Sequence, residues 1–394
     1  MNNKIDWYDE FVDLRYTPAK NDLICLYYFE PARGMNATEA AGRIASESSA
    51  GTWTTLHKLP ERVAKIKAQA FQIDGKYVKV AYPLDLWEPG NAPQLLSGIA
   101  GNIFGMKALA NLKLIDASLP KKYIKSFKGP HQGIKGIRDL LKVKKRPVTG
   151  AVPKPKIGFS ASEHAKVAYE TWMGGFDLVK DDENLTSPSF NRFEDRVKRM
   201  AKQKDRAERA TGDQKDALLN ITGETNVMIQ RAKLLLESGF RFAMIDVVTC
   251  GTSAVQTLRD ECSDLGLAIH AHRAMHAAFD RNPRHGISMY FLAKLMRLIG
   301  VDEIHVGTAI GKLVGTRSEV IEILVPTVMK ILGNDCTLLV SGGIHGHPKG
   351  TRAGACATMQ AIEATLDDID LKEYARDHKE LQQALDKWEY FKPR

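Results

Sequence analysis

Cysteine is scarce in this chain. Its 394 residues include five (Cys25, Cys250, Cys262, Cys336 and Cys356), no two in CxxC spacing. That implies neither a disulfide framework nor a cysteine-built zinc site and points to a reducing, cytoplasmic setting. Long apolar runs are also missing: none approaches the roughly 20 residues of a membrane span, so no membrane partner is expected. The opening Met1-Asn2-Asn3-Lys4-Ile5-Asp6 lacks the apolar core of a signal peptide. The formal charge is +9, yet the basic residues sit mostly in mixed runs such as Arg196 to Arg209, where acids alternate with them. Such a run reads as a solvated helix face, which argues against a nucleic-acid partner and leaves room for a small anionic substrate. What remains is a chain 44% apolar and 26% charged. That is ordinary for a globular protein and long enough for two or three domains.

Residues 1 to about 140 read as an α+β domain. Leu23 to Phe29 and Val78 to Tyr82 have strand character, and Ala37 to Ser48 reads as a helix. The small-residue turn Glu47 to Thr55 and the glycine-punctuated stretch Gly98 to Met106 are loops. From Arg146 onward strands and helices alternate, the signature of a parallel sheet. Strand ends fall at Val148–Lys154, Phe176–Lys180, Leu218–Thr222, Phe242–Val248, Leu267–His272, Glu303–Gly307 and Thr337–Gly342. The fold expected is therefore α/β: an N-terminal α+β domain (1–140), a TIM-type (β/α) barrel (141–364) and a helical tail (365–394). A closed barrel needs eight strands and the count here is seven, one βα unit short.

The densest chemistry lies in Gly174-Gly175-Phe176-Asp177-Leu178-Val179-Lys180-Asp181-Asp182-Glu183-Asn184. An apolar run leads into a lysine set against three acids. On a strand Lys180 and Asp182 share a face, and Glu183 follows where the chain must turn. Other strands end in Lys154 and Lys156, in His270, His272 and Arg273, and in His305. Polar clusters at the same end of successive strands mark an active-site mouth.

Lys154-Pro155-Lys156-Ile157-Gly158, the Gly175–Asn184 stretch, His270-Ala271-His272-Arg273-Ala274-Met275-His276, His305-Val306-Gly307-Thr308 with Gly311-Lys312-Leu313, and Gly346-His347-Pro348 together resemble the large chain of ribulose-1,5-bisphosphate carboxylase/oxygenase (RuBisCO). The archaeal form III type is the most similar, through Val152–Lys156, Asn184–Pro188 and His276–Phe279. The resemblance runs from about residue 8 almost to the end. It implies Mg2+-dependent carboxylation of ribulose 1,5-bisphosphate to two 3-phosphoglycerates through an enediolate, with O2 competing, in a setting such as archaeal nucleotide salvage. It implies that Lys180 is carbamylated by activating CO2 and that, with Asp182 and Glu183, it holds Mg2+. A neutral amine is required, so the Lys180 pKa must be lowered by Lys154 and Lys156 or by burial. The carbamate is then the base and His272 assists proton transfer. Lys154 protonates the last carbanion, with Lys156 keeping it oriented. Arg273 and His305 hold one phosphate, and Ser341 with Gly342 stands where the family binds phosphate. Lys312 closes over the site on a loop. Glu47, Thr52, Trp53 and Asn102 reach in from a second subunit, so the unit is a homodimer or an oligomer of dimers, with no small subunit expected.

After Lys312 the pattern breaks. Leu313-Val314-Gly315-Thr316 runs quickly into Leu324–Asp335, and Val314 replaces the usual acid. Ser341-Gly342-Gly343 has the letters of a seventh-strand motif but the position of the eighth strand. One βα unit is missing, which leaves a barrel with two edges or one closed around seven strands. Two alternatives follow: a RuBisCO-like enolase or isomerase on a related sugar phosphate, and a non-catalytic dimeric relative. The retained Lys312 argues against the first, the intact cluster against the second.

Overall fold

The structure, a computed structural model, describes residues 6–52, 54, 60–306, 329 and 333–388. It divides into two units. One gathers the chain up to Pro130 with Val247–Gln256 and Arg273–Gly300; the other gathers His131–Asp246, Thr257–His272 and the chain from Val301 onward.

In the first unit, five strands form a sheet in the order Gly286–Ile287, Leu109–Ser118, Leu23–Pro31, Tyr77–Tyr82, Gln69–Asp74. All neighbours are antiparallel except Gly286–Ile287, which runs parallel to Leu109–Ser118. Alternation along Leu23–Pro31 buries Leu23, Cys25, Tyr27 and Phe29, as expected of a sheet with one covered face. The helix Ala37–Glu47 starts where the Asn36 side chain accepts the Glu39 N–H at 2.8 Å. Three of these strands, Gln69–Asp74, Leu109–Ser118 and Gly286–Ile287, are additions to the sequence reading.

The second unit carries seven parallel strands in the order Glu303–Ile304, Ala268–His272, Phe242–Asp246, Asp216–Asn220, Leu178–Lys180, Val148–Ala151, Thr337–Leu339. All seven lie where the sequence places strands, with one correction of substance. Phe242–Val248 does not continue as a strand: it ends at Asp246, and Val247 begins a helix. The β-branched pair Val247-Val248 favours a strand locally, and tertiary context overrides it. The last strand pairs with the first, Thr337 opposite Val148 and Leu339 opposite Gly150, the place of a closing strand. Among the described residues no ladder joins it to Glu303–Ile304.

Val148, Leu178, Phe242 and Ala268 each open their strand, and they pack with Ile137 and Leu141 of the helix Gly133–Leu141. Apolar side chains thus seal the amino ends of the strands and leave the carboxyl ends for polar groups. Gly174, which leads into the strand Leu178–Lys180, has no room for a side chain: an added Cβ would lie 2.4 Å from Ala355 Cβ and 2.6 Å from the Arg352 carbonyl. The run Arg196–Arg209 is helical, within Phe193–Thr211, but it is not wholly solvated. Arg196 is completely buried and Lys204 nearly so, on the same stripe as Phe193, Val197, Met200 and Ala207. A three-to-four-residue spacing turns any side chain on that stripe inward, charged or not. No helix among the described residues is long and apolar enough to cross a membrane.

Candidate active site

Lys180 ends its strand with only 1% of its surface exposed. Its amine donates to the Asp181 carbonyl at 2.8 Å. Burial pulls its pKa down to about 8, against the opposing pull of Asp182, Asp181, Asp246 and Glu183. Of the two causes the sequence left open, burial is the one at work, because Lys154 and Lys156 are spent elsewhere. The Lys154 amine bonds to Asp182 Oδ2 at 2.6 Å, and Lys156 pairs with Glu183.

Asp182 and Glu183 lie close enough for each to shift the other's titration. Burial and the neighbouring Glu183 raise the Asp182 carboxyl above its ordinary range. Burial would raise Glu183 too, but Asp182 and Lys156 outweigh it and hold its pKa at about 2. Two neighbouring carboxylates under two lysines form a hard-oxygen donor set suited to a small divalent cation. Among the described residues no three His, Cys, Asp or Glu converge as a complete metal site.

Asn220 and Asp246 complete the arrangement, and neither was a candidate in the sequence. The Asn220 amide donates to the Glu183 carbonyl at 2.9 Å and to Asp246 Oδ2 at 3.3 Å. Asp246 Oδ1 lies 3.0 Å from His272 Nδ1, and the His272 and His305 rings stand 5.5 Å apart. A polar path therefore runs from Lys154 to His272 across the strand ends, with the His305 ring beside its end. His270 points elsewhere, to Glu303 at 2.8 Å. Ser341 Oγ accepts the Val152 N–H at 3.0 Å, which ties the closing strand to the first. A Cβ added at Gly342 would meet nothing within 4 Å, so packing does not demand that glycine.

In the other unit the Arg273 carbonyl accepts the His276 N–H at 3.0 Å, and the exposed Asn102 amide lies 3.5 Å from Glu47 Oε1. Thr52 is half-buried. Trp53 and Lys312 lie outside the described residues.

Chemistry that needs a neutral Lys180 should follow the Henderson–Hasselbalch curve of its pKa near 8. The neutral fraction rises from about one-tenth at pH 7 to about nine-tenths at pH 9. The initial rate at which that amine reacts with CO2 should therefore climb about ninefold across that interval at constant dissolved CO2. A flat stopped-flow profile would show that Lys180 is not the titrating amine.

A parallel (β/α) sheet bearing a buried lysine and paired carboxylates at its carboxyl ends defines an enzyme of the barrel class with a metal-grade site. The model of the ribulose bisphosphate carboxylase large chain, catalytic domain, matches residues 133–325 and 321–388, and that of its N-terminal domain matches 10–123. A ribulose bisphosphate carboxylase of Pyrococcus furiosus is 51% identical, over 99% of this chain and 100% of that protein; the one of Methanosarcina barkeri is 44% identical over 96% and 99%. The octameric RuBisCO of Pyrococcus horikoshii superposes with a TM-score of 0.92 at 49% identity, covering 98% of this chain and 97% of that one. The dimeric archaeal RuBisCO of Hyperthermus butylicus gives 0.91 at 43%, covering 98% and 100%. The chain belongs to the RuBisCO large-chain family, and is like its archaeal form III members.

The comparisons also locate the departure. The catalytic-domain match breaks into two segments that meet at 321–325. The Pyrococcus furiosus alignment spans 420 positions against a chain of 394, so at least 26 (420 less 394) have no counterpart here. That is the order of one strand, one helix and their loops, about 25 residues.

Proposed function

We propose that this chain is a ribulose-1,5-bisphosphate carboxylase/oxygenase, converting ribulose 1,5-bisphosphate, CO2 and water to two 3-phosphoglycerates, with O2 as the competing gas. One observation carries the reading: a fully buried strand-end amine, its pKa drawn down to about 8, beside two carboxylates that shift each other's titration. The neutral Lys180 amine attacks CO2 and releases one proton, becoming a carbamate. That supplies the third oxygen donor, so Lys180, Asp182 and Glu183 would together hold Mg2+. The chemistry the ion brings is Lewis acidity, which polarises a carbonyl and stabilises negative charge on oxygen.

Lys180, as its carbamate, takes the C3 proton of the substrate. His272, anchored through Nδ1 on Asp246, serves the later proton transfers. Lys154 exchanges its Asp182 contact for the role of final proton donor, and Lys156 keeps it oriented. Arg273 and His305 suit one phosphate, a forked cation and a ring donor. Ser341 and Gly342 suit the other, since the open space at Gly342 allows close approach to the backbone. Lys312 closes over the bound substrate. Glu47, Thr52, Trp53 and Asn102 serve the site of a second copy, making the active unit a homodimer. Dimeric and octameric archaeal relatives support that assembly.

The test is incubation with CO2 and Mg2+, then ribulose 1,5-bisphosphate and labelled CO2. Label in 3-phosphoglycerate is the expected result. Solvent deuterium exchange at C3 without label would instead assign an enolising relative, and neither signal would sink the enzymatic reading.

A further inference from the structure

Between the two metal-grade positions Lys180 and Asp182 lies Asp181, fully buried and facing the other way. Its Oδ2 accepts Arg196 Nε at 3.1 Å and the Asn220 N–H at 3.0 Å, and lies 3.0 Å from Arg196 Nη2 in an ion pair; its Oδ1 lies 3.1 Å from His164 Nε2. Arg196 is itself completely buried, and it spends its remaining donors on the chain beyond Glu183. It donates to the Thr186 carbonyl at 2.8 Å, to the Asn191 carbonyl at 3.0 Å and to Asn191 Oδ1 at 3.1 Å. One guanidinium therefore ties down both ends of the short turn that carries Asp182 and Glu183.

We infer that Asp181 and Arg196 form a buried positioning pair that fixes the direction of the Asp182 and Glu183 carboxylates for the metal. The inference rests on the metal-site reading above. Strand alternation explains the division of labour. With Asp181 locked toward the helices Ala161–Met173 and Phe193–Thr211, which bear His164 and Arg196, its neighbours Lys180 and Asp182 face the opposite side, and Glu183 is aimed by the turn that Arg196 holds at Thr186 and Asn191. The planar fork matters as much as the charge, because a lysine at 196 could hold Asp181 or the loop carbonyls but not both. Outer groups of this kind typically tune metal affinity by about 10- to 100-fold.

The experiment compares wild type with Arg196→Lys and Asp181→Asn in bicarbonate buffer. It measures Mg2+ affinity by isothermal titration, the 13C NMR signal of the Lys180 carbamate, and KM for ribulose 1,5-bisphosphate. Mg2+ binding should weaken about tenfold or more, the carbamate signal should fall at fixed Mg2+, and KM should stay within about twofold of wild type. The double variant Asp181→Asn/Arg196→Met leaves no buried charge of this pair and tests the inference if the single variants misfold. It should melt near wild type and still bind Mg2+ weakly. Folded variants with wild-type Mg2+ affinity would overturn the inference and leave the metal site standing. Wild type that neither binds Mg2+ nor shows a carbamate would overturn the metal-site reading, and the inference with it.

Discussion

Lys180→Ala is expected to lower the entry of labelled CO2 into 3-phosphoglycerate by at least about a thousandfold, roughly 4 kcal/mol of transition-state stabilisation. Alanine cannot become a carbamate, so the proposed site keeps its two carboxylates and loses the third oxygen donor. Lysine is also the base in the proposed reaction, so the variant loses a proton acceptor along with a ligand. Initial rates after preincubation with CO2 and Mg2+ measure the effect, with circular dichroism as the control for folding. A folded variant that keeps more than about a tenth of the rate would remove Lys180 from the machinery.

The second large effect is on stability. Asp177 is buried just before the Lys180 strand and accepts two bonds from Arg146, both at 2.6 Å. The Thr149 N–H and hydroxyl add bonds at 2.8 and 2.9 Å. Arg146 and Thr149 flank Val148, the first residue of the neighbouring strand, so one carboxylate pins two strands in register. Asp177→Ala leaves a largely buried guanidinium and a buried hydroxyl without their acceptor. Breaking a buried pair from one side costs about 3–5 kcal/mol. The guanidinium unfolding midpoint should fall accordingly, while Asp177→Asn, which keeps an acceptor oxygen, should lose visibly less. An unchanged midpoint for the alanine variant would refute the account.

Much of the parallel sheet was legible because its strands are buried on both faces. Such strands read as short continuous apolar runs, as in Phe242-Ala243-Met244-Ile245. The same directness failed where a signal was local and its meaning was not. Val247-Val248 looks like more strand, and that reading hid Asp246, the acid that ends the strand and holds His272. A run of apolar letters closed by an acid, the pattern that exposed the Lys180 cluster, would have found it. Leu109–Ser118 carries alternation at Leu112 and Leu114 and was equally available. Arg196 was not. Alternating charges describe a helix surface, and only packing says which stripe of that surface faces inward.

The proposed site residues were determined by order along the chain. Lys180, Asp182 and Glu183 are near neighbours, and a strand end aims contiguous side chains without help from distant segments. The missing βα unit was determined in the same way, since a deletion is a property of the chain. Tertiary structure decided everything that depends on solvent and on distant partners. It decided that burial, and not nearby cations, lowers the Lys180 pKa. It decided that Thr337–Leu339 sits beside Val148–Ala151 as the closing strand. It brought Arg196, Asn220 and Asp246 behind the site from separate elements. The reason is physical: desolvation and hydrogen bonding between residues far apart in sequence exist only once the chain has excluded water and fixed their separation.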